Sequence, residues 1–242
     1  MAPPGTVLLA VGGYGRRELS PQSDIDVLLL HEPRRHVQDL AERLWYPVWD
    51  EGLKLGHAVR TVKEALALAS DDLDTATALL SARPIAGDPA LAAELARRAE
   101  ELWRKRSRRW LGELSRRVRE RWAAEGEVAF LLEPDLKEGR GGLRDVHAVR
   151  WAERAQSVML EGDDAALGSA YEVLLAARVE LHRRTRRAGD RLTLQEQDGV
   201  ADGLGYADAD DLMRAVSTAA RTLAWSSEEL WERIDSSLAG PA

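Results

Sequence analysis

The sequence predicts an α+β protein in which a small mixed-sheet core is followed by an α-helical domain. Two short apolar runs, Val7–Val11 and Val27–Leu30, flank a glycine-rich turn and have the length of buried strands. Beyond Asp88, the apolar residues recur mostly with helical spacing. We therefore expect the sheet within residues 1–85 and the helical domain over residues 86–242.

The chain from Val7 to Leu30 has the pattern of a strand, a glycine turn, a short helix and a second strand. The first apolar run breaks at Gly12–Gly13, and the second begins just after Asp24 and Asp26. Residues i and i+2 of a strand point to the same face, so we expect the two carboxylates to project together. Such a pair is costly unless a cation neutralises it. Mg²⁺ takes oxygen ligands and keeps positions for water and substrate phosphates.

The glycine turn and the two arginines after it are suited to binding phosphate. Gly12 and Gly13 let backbone N–H groups approach a phosphate with no Cβ in the way. Arg16 and Arg17 are close enough in sequence to donate to phosphate oxygens. Taken singly, a Gly-Gly pair is most often a simple turn, and Asp-x-Asp is often a solvated strand end. Together, in this order, they indicate metal-assisted nucleotidyl transfer with the aspartate pair as the catalytic, metal-binding residues.

The composition excludes several other classes of protein. A net charge of -7 argues against a general nucleic-acid binder, which is usually basic. The chain has no cysteine, so it forms no disulfide and no zinc–thiolate site. No apolar run approaches the roughly 20 residues that a membrane span needs, and the N-terminus lacks the pattern of a signal peptide. We therefore expect a cytoplasmic protein with no membrane partner.

The string VGGYGRRELSPQSDIDVLLL, residues 11–30, resembles the catalytic domain of bacterial PII uridylyltransferases nearly residue by residue. These enzymes belong to the nucleotidyltransferase superfamily with a polymerase-β-like core. The resemblance implies Mg²⁺-dependent transfer of UMP from UTP, or of AMP from ATP, to a tyrosine of the PII nitrogen-signalling protein. It also implies nucleotide binding at Gly12 and Gly13, and Mg²⁺ binding at Asp24 and Asp26.

A third strand is predicted from about residue 54 to residue 60, within the string GLKLGHAVRT that again resembles the family. In many superfamily members this strand supplies a third carboxylate to the metal site. Here no Asp or Glu lies between Leu53 and Arg60. Either His57 or Arg60 faces the nucleotide, or His57 is a half-buried structural residue. The sequence leaves both interpretations open.

The helices around this strand carry recognisable start and stop signals. Residues 36–50 have helical spacing, and Pro47 within them should kink or break the helix. Thr61 begins a capping-box pattern, which predicts a helix start. Residues 62–83 are expected to form two helices, with Pro84 closing the segment.

The second half of the chain is predicted to be mainly helical. A helix starts at Asp88, which precedes a proline at the first helical position, and runs to about residue 124. It is either one long helix or two, and Gly112 is its weakest point. Further helices are expected over residues 163–187 and 208–238.

Residues 133–145 form a basic, glycine-rich loop that leads into a helix at Leu143. Such a loop at a helix N-terminus is a ready anion site, although a capped loop with salt bridges has the same composition. The loop resembles the Asp-x-Lys-x-Gly-x-Gly-Gly-x-Arg-Asp signature of PII uridylyltransferases. We therefore expect it to contact the triphosphate or the target protein. Its candidate nucleotide-binding residues are Lys137, Gly141, Gly142 and Arg144.

Complete members of the family carry additional N-terminal residues, a metal phosphohydrolase domain with a His-Asp dipeptide, and two sensor domains. This sequence contains no His-Asp dipeptide. We therefore expect deuridylylation and glutamine sensing to be missing. Two alternatives remain: a catalytically decayed or truncated regulatory module that binds nucleotide or a partner without turnover, and nucleotidyl transfer to a small molecule. The glycine-rich loop argues against the second, because it matches the protein-modifying families.

Overall fold

The structure, a computed structural model, describes residues 4–33, 37–155 and 164–239 of the chain. Over these residues the fold is α+β, as predicted, with one four-stranded mixed sheet and a majority of helix. None of the helices in these ranges is long and apolar enough to cross a bilayer. The helix starts predicted at residues 36 and 163 lie outside the described residues.

The chain divides into two compact units. The first unit extends as far as Leu19 and resumes from Ser23 to Arg106. The second unit contains Ser20–Gln22 and the chain from Ser107 onward. The boundary expected from the sequence, at residue 85, precedes the last helix of the first unit. Each unit is described by itself below.

The sheet belongs to the first unit. Its strands are β1 (Thr6–Ala10), β2 (Ile25–His31), β3 (Leu55–Arg60) and β4 (Arg83–Gly87). The strand order is β3-β2-β1-β4, with β1 antiparallel to both its neighbours and β2 parallel to β3. The first three strands lie close to their predicted positions. The fourth is a correction, because Pro84 lies within it; an edge strand tolerates a residue that has no N–H to donate.

Five helices complete the first unit: α1 (Gly12–Gly15), α2 (Val37–Asp50), α3 (Val62–Ala69), α4 (Leu73–Leu80) and α5 (Pro89–Lys105). Of the kink or break predicted at Pro47, the break does not occur, because α2 continues through the proline to Asp50. Trp45 and Ala41 of α2 pack against apolar residues of β2, and this burial outweighs one missing backbone hydrogen bond. The predicted capping box at Thr61 and the helix start at Asp88 are confirmed.

The second unit is helical. Its helices are α6 (Ser107–Glu125), α7 (Leu143–Ala155), α8 (Asp164–Thr185), α9 (Leu194–Leu204) and α10 (Ala209–Ala239). The apolar core shared by α7, α8, α9 and α10 includes Leu174, Leu212 and Val216, which are fully buried. The long helical pattern after Asp88 breaks at Arg106, not at Gly112. The Arg106 guanidinium donates to a backbone carbonyl oxygen outside its helix at 2.7 Å, a tertiary contact that local propensity does not reveal.

Candidate functional site

Asp26 is the second residue of β2 and Asp24 immediately precedes the strand; two glycine backbones lie close to the Asp26 carboxylate. β2 pairs with β3 so that Asp26 is opposite Gly56. A Cβ on Gly56 would lie 2.2 Å from Oδ1 of Asp26, and a Cβ on Gly12 would lie 3.0 Å from its Oδ2. The lack of side chains at both glycines therefore creates the space that this carboxylate occupies. The glycine turn and the carboxylate face each other.

The electrostatics of the aspartate pair favour a bound cation. Asp26 is half-buried, and Asp24 is exposed. Burial raises the pKa of Asp26, the Asp24 charge raises it further, and the Arg16 guanidinium offsets only part of this increase. The two effects that raise the pKa, burial and the Asp24 charge, disfavour the ionised form of the carboxylate. The ionised form is the one that binds metal. A divalent cation between the two groups would relieve this cost.

The donor set of the pair fits Mg²⁺, which is commonly bound by one or two carboxylates together with water and substrate phosphates. Within the described ranges, no cluster of three or more His, Cys, Asp or Glu side chains is arranged to hold a metal. Gly56 explains why β3 contributes no carboxylate opposite Asp26. The Asp26 carboxylate already fills the volume that a side chain at position 56 would need.

The phosphate-binding candidates of α1 differ in how accessible they are. Gly12 has a positive φ of +57°, which favours glycine, and its neighbour Gly13 has no side-chain atom near its missing Cβ. Arg16 donates through Nε to the Glu18 carboxylate at 2.7 Å, so a phosphate would share this guanidinium. Arg17 also has a positive φ, of +65°, and its side chain is exposed.

His57 lies on the opposite face of the sheet from Asp26. Side chains alternate along a strand, and Gly56, the residue before His57, is the one that pairs with Asp26. The His57 ring centroid is 5.4 Å from those of Trp45 and Trp49 on α2. His57 is thus exposed, not half-buried, and the structure does not bring it together with the aspartate pair; its role in nucleotide binding stays a prediction.

Arg60 shares the Asp26 face of the sheet by alternation, but it lies at the other end of β3. Arg60 is four positions after Gly56, which corresponds to about 13 Å along a strand. Its guanidinium donates to the backbone carbonyl oxygen of Val59 at 2.9 Å. The structure does not bring Arg60 together with the aspartate pair.

Two contributors to the site were missed by sequence reasoning. Gly56 provides space for Asp26, but only the strand register reveals this, because nothing in the local sequence marks the residue. Arg83 of β4 donates to the backbone carbonyl oxygens of Tyr14 at 3.0 Å and Gly15 at 3.3 Å, and its guanidinium lies over the Tyr14 ring. It thereby holds the C-terminal end of α1, and it was hidden because β4 was not expected.

In the second unit, the predicted glycine-rich loop is a fixed turn anchored on Asp145, which is fully buried. The Asp145 carboxylate accepts hydrogen bonds from the Gly141 N–H at 2.6 Å, from Trp122 Nε1 at 2.9 Å and from the Arg121 guanidinium. Gly141 has a φ of +79°, and its Cβ would lie 2.4 Å from the backbone oxygen of Ala220. Glycine is required here by packing and backbone conformation.

The basic residues of this loop are contacted by carboxylates of the same unit. Lys137 Nζ lies 3.4 Å from Asp190, and Arg144 Nε donates to Glu138 at 3.1 Å. A Cβ on Gly142 would lie 2.7 Å from a backbone oxygen of the loop, so this glycine also has a packing role. The structure therefore shows the salt-bridged, capped loop that the sequence left open. An incoming anion would compete with these carboxylates.

Comparison with known proteins shows that this chain is similar to one family of enzymes. The sequence profile described as GlnD PII-uridylyltransferase matches residues 112–231, which lie within the second unit. The similarity to individual relatives extends over most of the chain. A bifunctional uridylyltransferase/uridylyl-removing enzyme of Streptomyces coelicolor is 48% identical over 232 residues, which is 95% of this chain and 28% of the relative.

Other relatives with the same description are more distant. One from Mycobacterium tuberculosis is 44% identical over 93% of this chain and 29% of its own length. One from Caulobacter vibrioides is 36% identical over 84% of this chain and 23% of its own length. The chain therefore spans less than a third of the length of these relatives.

Proposed function

The chain belongs to the bacterial PII-uridylyltransferase family, a family of nucleotidyltransferases, and from this premise we propose that it transfers UMP from UTP, or AMP from ATP, to a tyrosine of a PII protein. The observation that carries the proposal is the Asp26 carboxylate, placed between Gly12 and Gly56 with the Asp24 charge close by. The proposal places the reaction in the cytoplasm, where nucleoside triphosphates are available.

In the proposed reaction, the tyrosine oxygen bonds to the α-phosphorus of the nucleotide, and the bond from that phosphorus to pyrophosphate breaks. Asp24 and Asp26 would hold Mg²⁺, which when bound neutralises charge on the triphosphate and on the attacking and leaving oxygens. One of these carboxylates accepts the tyrosine proton, directly or through a water molecule. Gly12, Gly13 and Arg16 bind the β- and γ-phosphates, with Arg17 close by in sequence.

The test is Mg²⁺-dependent incorporation of UMP or AMP into purified PII, followed by intact mass spectrometry with UTP and ATP supplied separately. Asp24→Asn and Asp26→Asn should each lower the rate by at least about a hundredfold, the usual effect of removing a charge-stabilising group. Glu42→Gln is the matched control, because Glu42 is an exposed carboxylate on α2. Retained transfer in both aspartate variants, with unchanged thermal unfolding, would contradict the assignment.

The second candidate is a module that binds nucleotide or a partner protein without turnover. It is favoured by the site itself, where Gly56 stands at the register position from which β3 would supply a further carboxylate. Calorimetric binding of UTP or ATP, combined with no incorporation into PII by the wild-type chain, would support it. Incorporation that depends on Asp24 and Asp26 would exclude it.

Lys137, Gly141, Gly142 and Arg144 remain predicted nucleotide-binding residues of the second unit. Because Lys137 and Arg144 already contact carboxylates, binding a phosphate would exchange one charged partner for another. Glycines 141 and 142 contribute backbone shape whether or not an anion binds. Nucleotide titrations of charge-removing variants test this part of the proposal separately from the aspartate pair.

A further inference from the structure

Strand β3 is an open edge of the sheet in the first unit. It is the last strand in the order β3-β2-β1-β4, and over the described residues it pairs only with β2. In a parallel ladder, alternate residues direct their N–H and C=O groups towards the neighbouring strand. The Lys54 carbonyl oxygen accepts from the Ile25 N–H at 2.9 Å, which fixes the phase of this alternation. The outward groups of β3 are therefore those of Leu55, His57 and Val59.

Most of these outward backbone groups are free to pair. The Val59 carbonyl oxygen accepts from the Arg60 guanidinium at 2.9 Å, but within the described part of the chain the outward groups of Leu55 and His57 make no hydrogen bond. The opposite edge strand, β4, contains Pro84, and its register with β1 shifts. Prolines and such irregularities protect a sheet edge, and β3 has neither. Another extended chain can therefore pair with β3.

The position of β3 beside the aspartate pair indicates which extended chain this edge would receive. The Asp26 carboxylate fills the space of the missing Gly56 side chain, with Oδ1 2.2 Å from the place of its Cβ. Residues opposite each other on paired strands have their Cβ atoms about 5 Å apart. A side chain opposite Gly56 on an added strand would therefore begin about 5 Å from the site of this carboxylate. A tyrosine side chain spans such a gap, with its hydroxyl at the far end.

Exposed aromatic rings lie against the other face of β3. Trp49 of α2 is 41% exposed, and its ring centroid is 5.4 Å from that of His57. Tyr46 is 54% exposed, and its ring meets the Trp49 ring edge-on at 5.6 Å. Exposed apolar patches and aromatic side chains are typical of protein–protein contact surfaces. Because side chains alternate along a strand, those of an added strand that point away from Asp26 would pack on Trp49 and His57.

We propose that PII presents its acceptor tyrosine on an extended segment that adds to the sheet as a strand beside β3. Backbone pairing with Leu55, His57 and Val59 holds the segment, and the Trp49 ring binds side chains on one face of it. A tyrosine opposite Gly56 then directs its hydroxyl towards the aspartate pair. The inference rests on the proposed function, because it describes how the proposed protein substrate reaches the proposed site.

The test is residue-specific amide hydrogen exchange, measured by NMR on the whole chain with and without PII. An analogue of UTP or ATP with a methylene bridge between the α- and β-phosphorus is included, so that the complex forms without transfer. The amides of Leu55, His57 and Val59 should exchange about tenfold more slowly when PII is bound. The amides of Gly56 and Ala58 face β2 and should change little. Docking through side chains alone would not produce this alternating pattern.

Trp49→Ala tests the aromatic part of the surface. Its matched control is Trp225→Ala, because Trp225 lies on α10 of the second unit and is 73% exposed. Trp49→Ala should raise the KM for PII by about tenfold or more, the scale of an interface aromatic residue, and leave the KM for the nucleotide unchanged. Trp225→Ala should change neither. An unchanged KM for PII in Trp49→Ala, or an equal rise in Trp225→Ala, contradicts the proposed surface.

The outcomes separate this inference from the proposed function. Slower exchange at the three outward amides, together with UMP or AMP incorporation into PII, supports both. Incorporation into PII with no change in the exchange of these amides overturns the inference and leaves the proposed function standing. If the wild-type chain neither modifies PII nor shows slower exchange in its presence, both are overturned.

Discussion

Gly56→Ala tests the steric relation that places the Asp26 carboxylate. The added Cβ would lie 2.2 Å from Oδ1 of Asp26, whereas ordinary van der Waals contact begins at 3.4 Å. The carboxylate must therefore move by about 1.2 Å, or β3 must shift away from β2. Rotation of a short side chain is easier than breaking strand pairing, so the carboxylate should move and the sheet should stay intact.

The expected effect falls on activity far more than on stability. A displacement of about 1 Å at a reacting group costs roughly a hundredfold in rate, equivalent to about 2.7 kcal/mol of transition-state stabilisation. The free energy of unfolding should change by less than about 1 kcal/mol, the scale of an off-rotamer side chain. Initial rates of nucleotide incorporation into PII measure the first quantity, and urea unfolding followed by circular dichroism measures the second.

Gly168→Ala is the matched control for this substitution. A Cβ at Gly168 would meet no atom within 4 Å, and the residue lies inside α8, where alanine is the better helix former. Gly168→Ala should therefore leave the rate of nucleotide incorporation unchanged. Its free energy of unfolding should be equal to that of the wild type or slightly higher. Full activity and unaltered Mn²⁺ binding in Gly56→Ala would refute the claim that this glycine creates the space for Asp26.

Four further outcomes are expected. Gly141→Ala should lower the free energy of unfolding in urea by more than about 2 kcal/mol, because its Cβ meets the Ala220 backbone oxygen at a positive φ. Asp72→Ala should cost about 1 kcal/mol in thermal unfolding, because it removes the side-chain cap of α4. Asp190→Asn should lower the thermal midpoint at pH 7. Since the folded-state pKa of Asp190 is depressed, the difference from wild type should shrink as the pH falls below about 4, and a constant difference would contradict this. Arg144→Gln should raise the KM for the nucleotide with little loss of stability, because its ion pair is partly exposed; an unchanged KM would leave it a structural residue.

The elements that depend only on residues close together in the sequence could be predicted from local sequence patterns. The capping box at Thr61 needs only residues three apart, and the Asp88–Pro89 start needs two neighbours, so both were predictable. The alternation from which Asp24 and Asp26 are expected to share a face is likewise a property of any strand, although β2 begins only at Ile25. The glycine turn before them could be recognised because a positive φ, here at Gly12, favours glycine.

The features that were missed depend on partners distant in sequence. β4 contains a proline and exists because it pairs with β1. Pro47 does not end α2, because Trp45 anchors that helix against β2. The long helical pattern after Asp88 breaks at Arg106, whose side chain bonds outside its own helix. In each case the deciding contact joins residues that no window of local sequence contains.

The amino-acid order by itself determined the strand–turn–helix–strand pattern, the Asp-x-Asp spacing at the entry to β2, and the family resemblance, because these depend on neighbours within a few positions. Only the tertiary structure decided that Gly56 makes room for one of those acids and that His57 faces the opposite side of the sheet. The register between β2 and β3 sets both relations, and it arises from contacts between residues far apart in the chain.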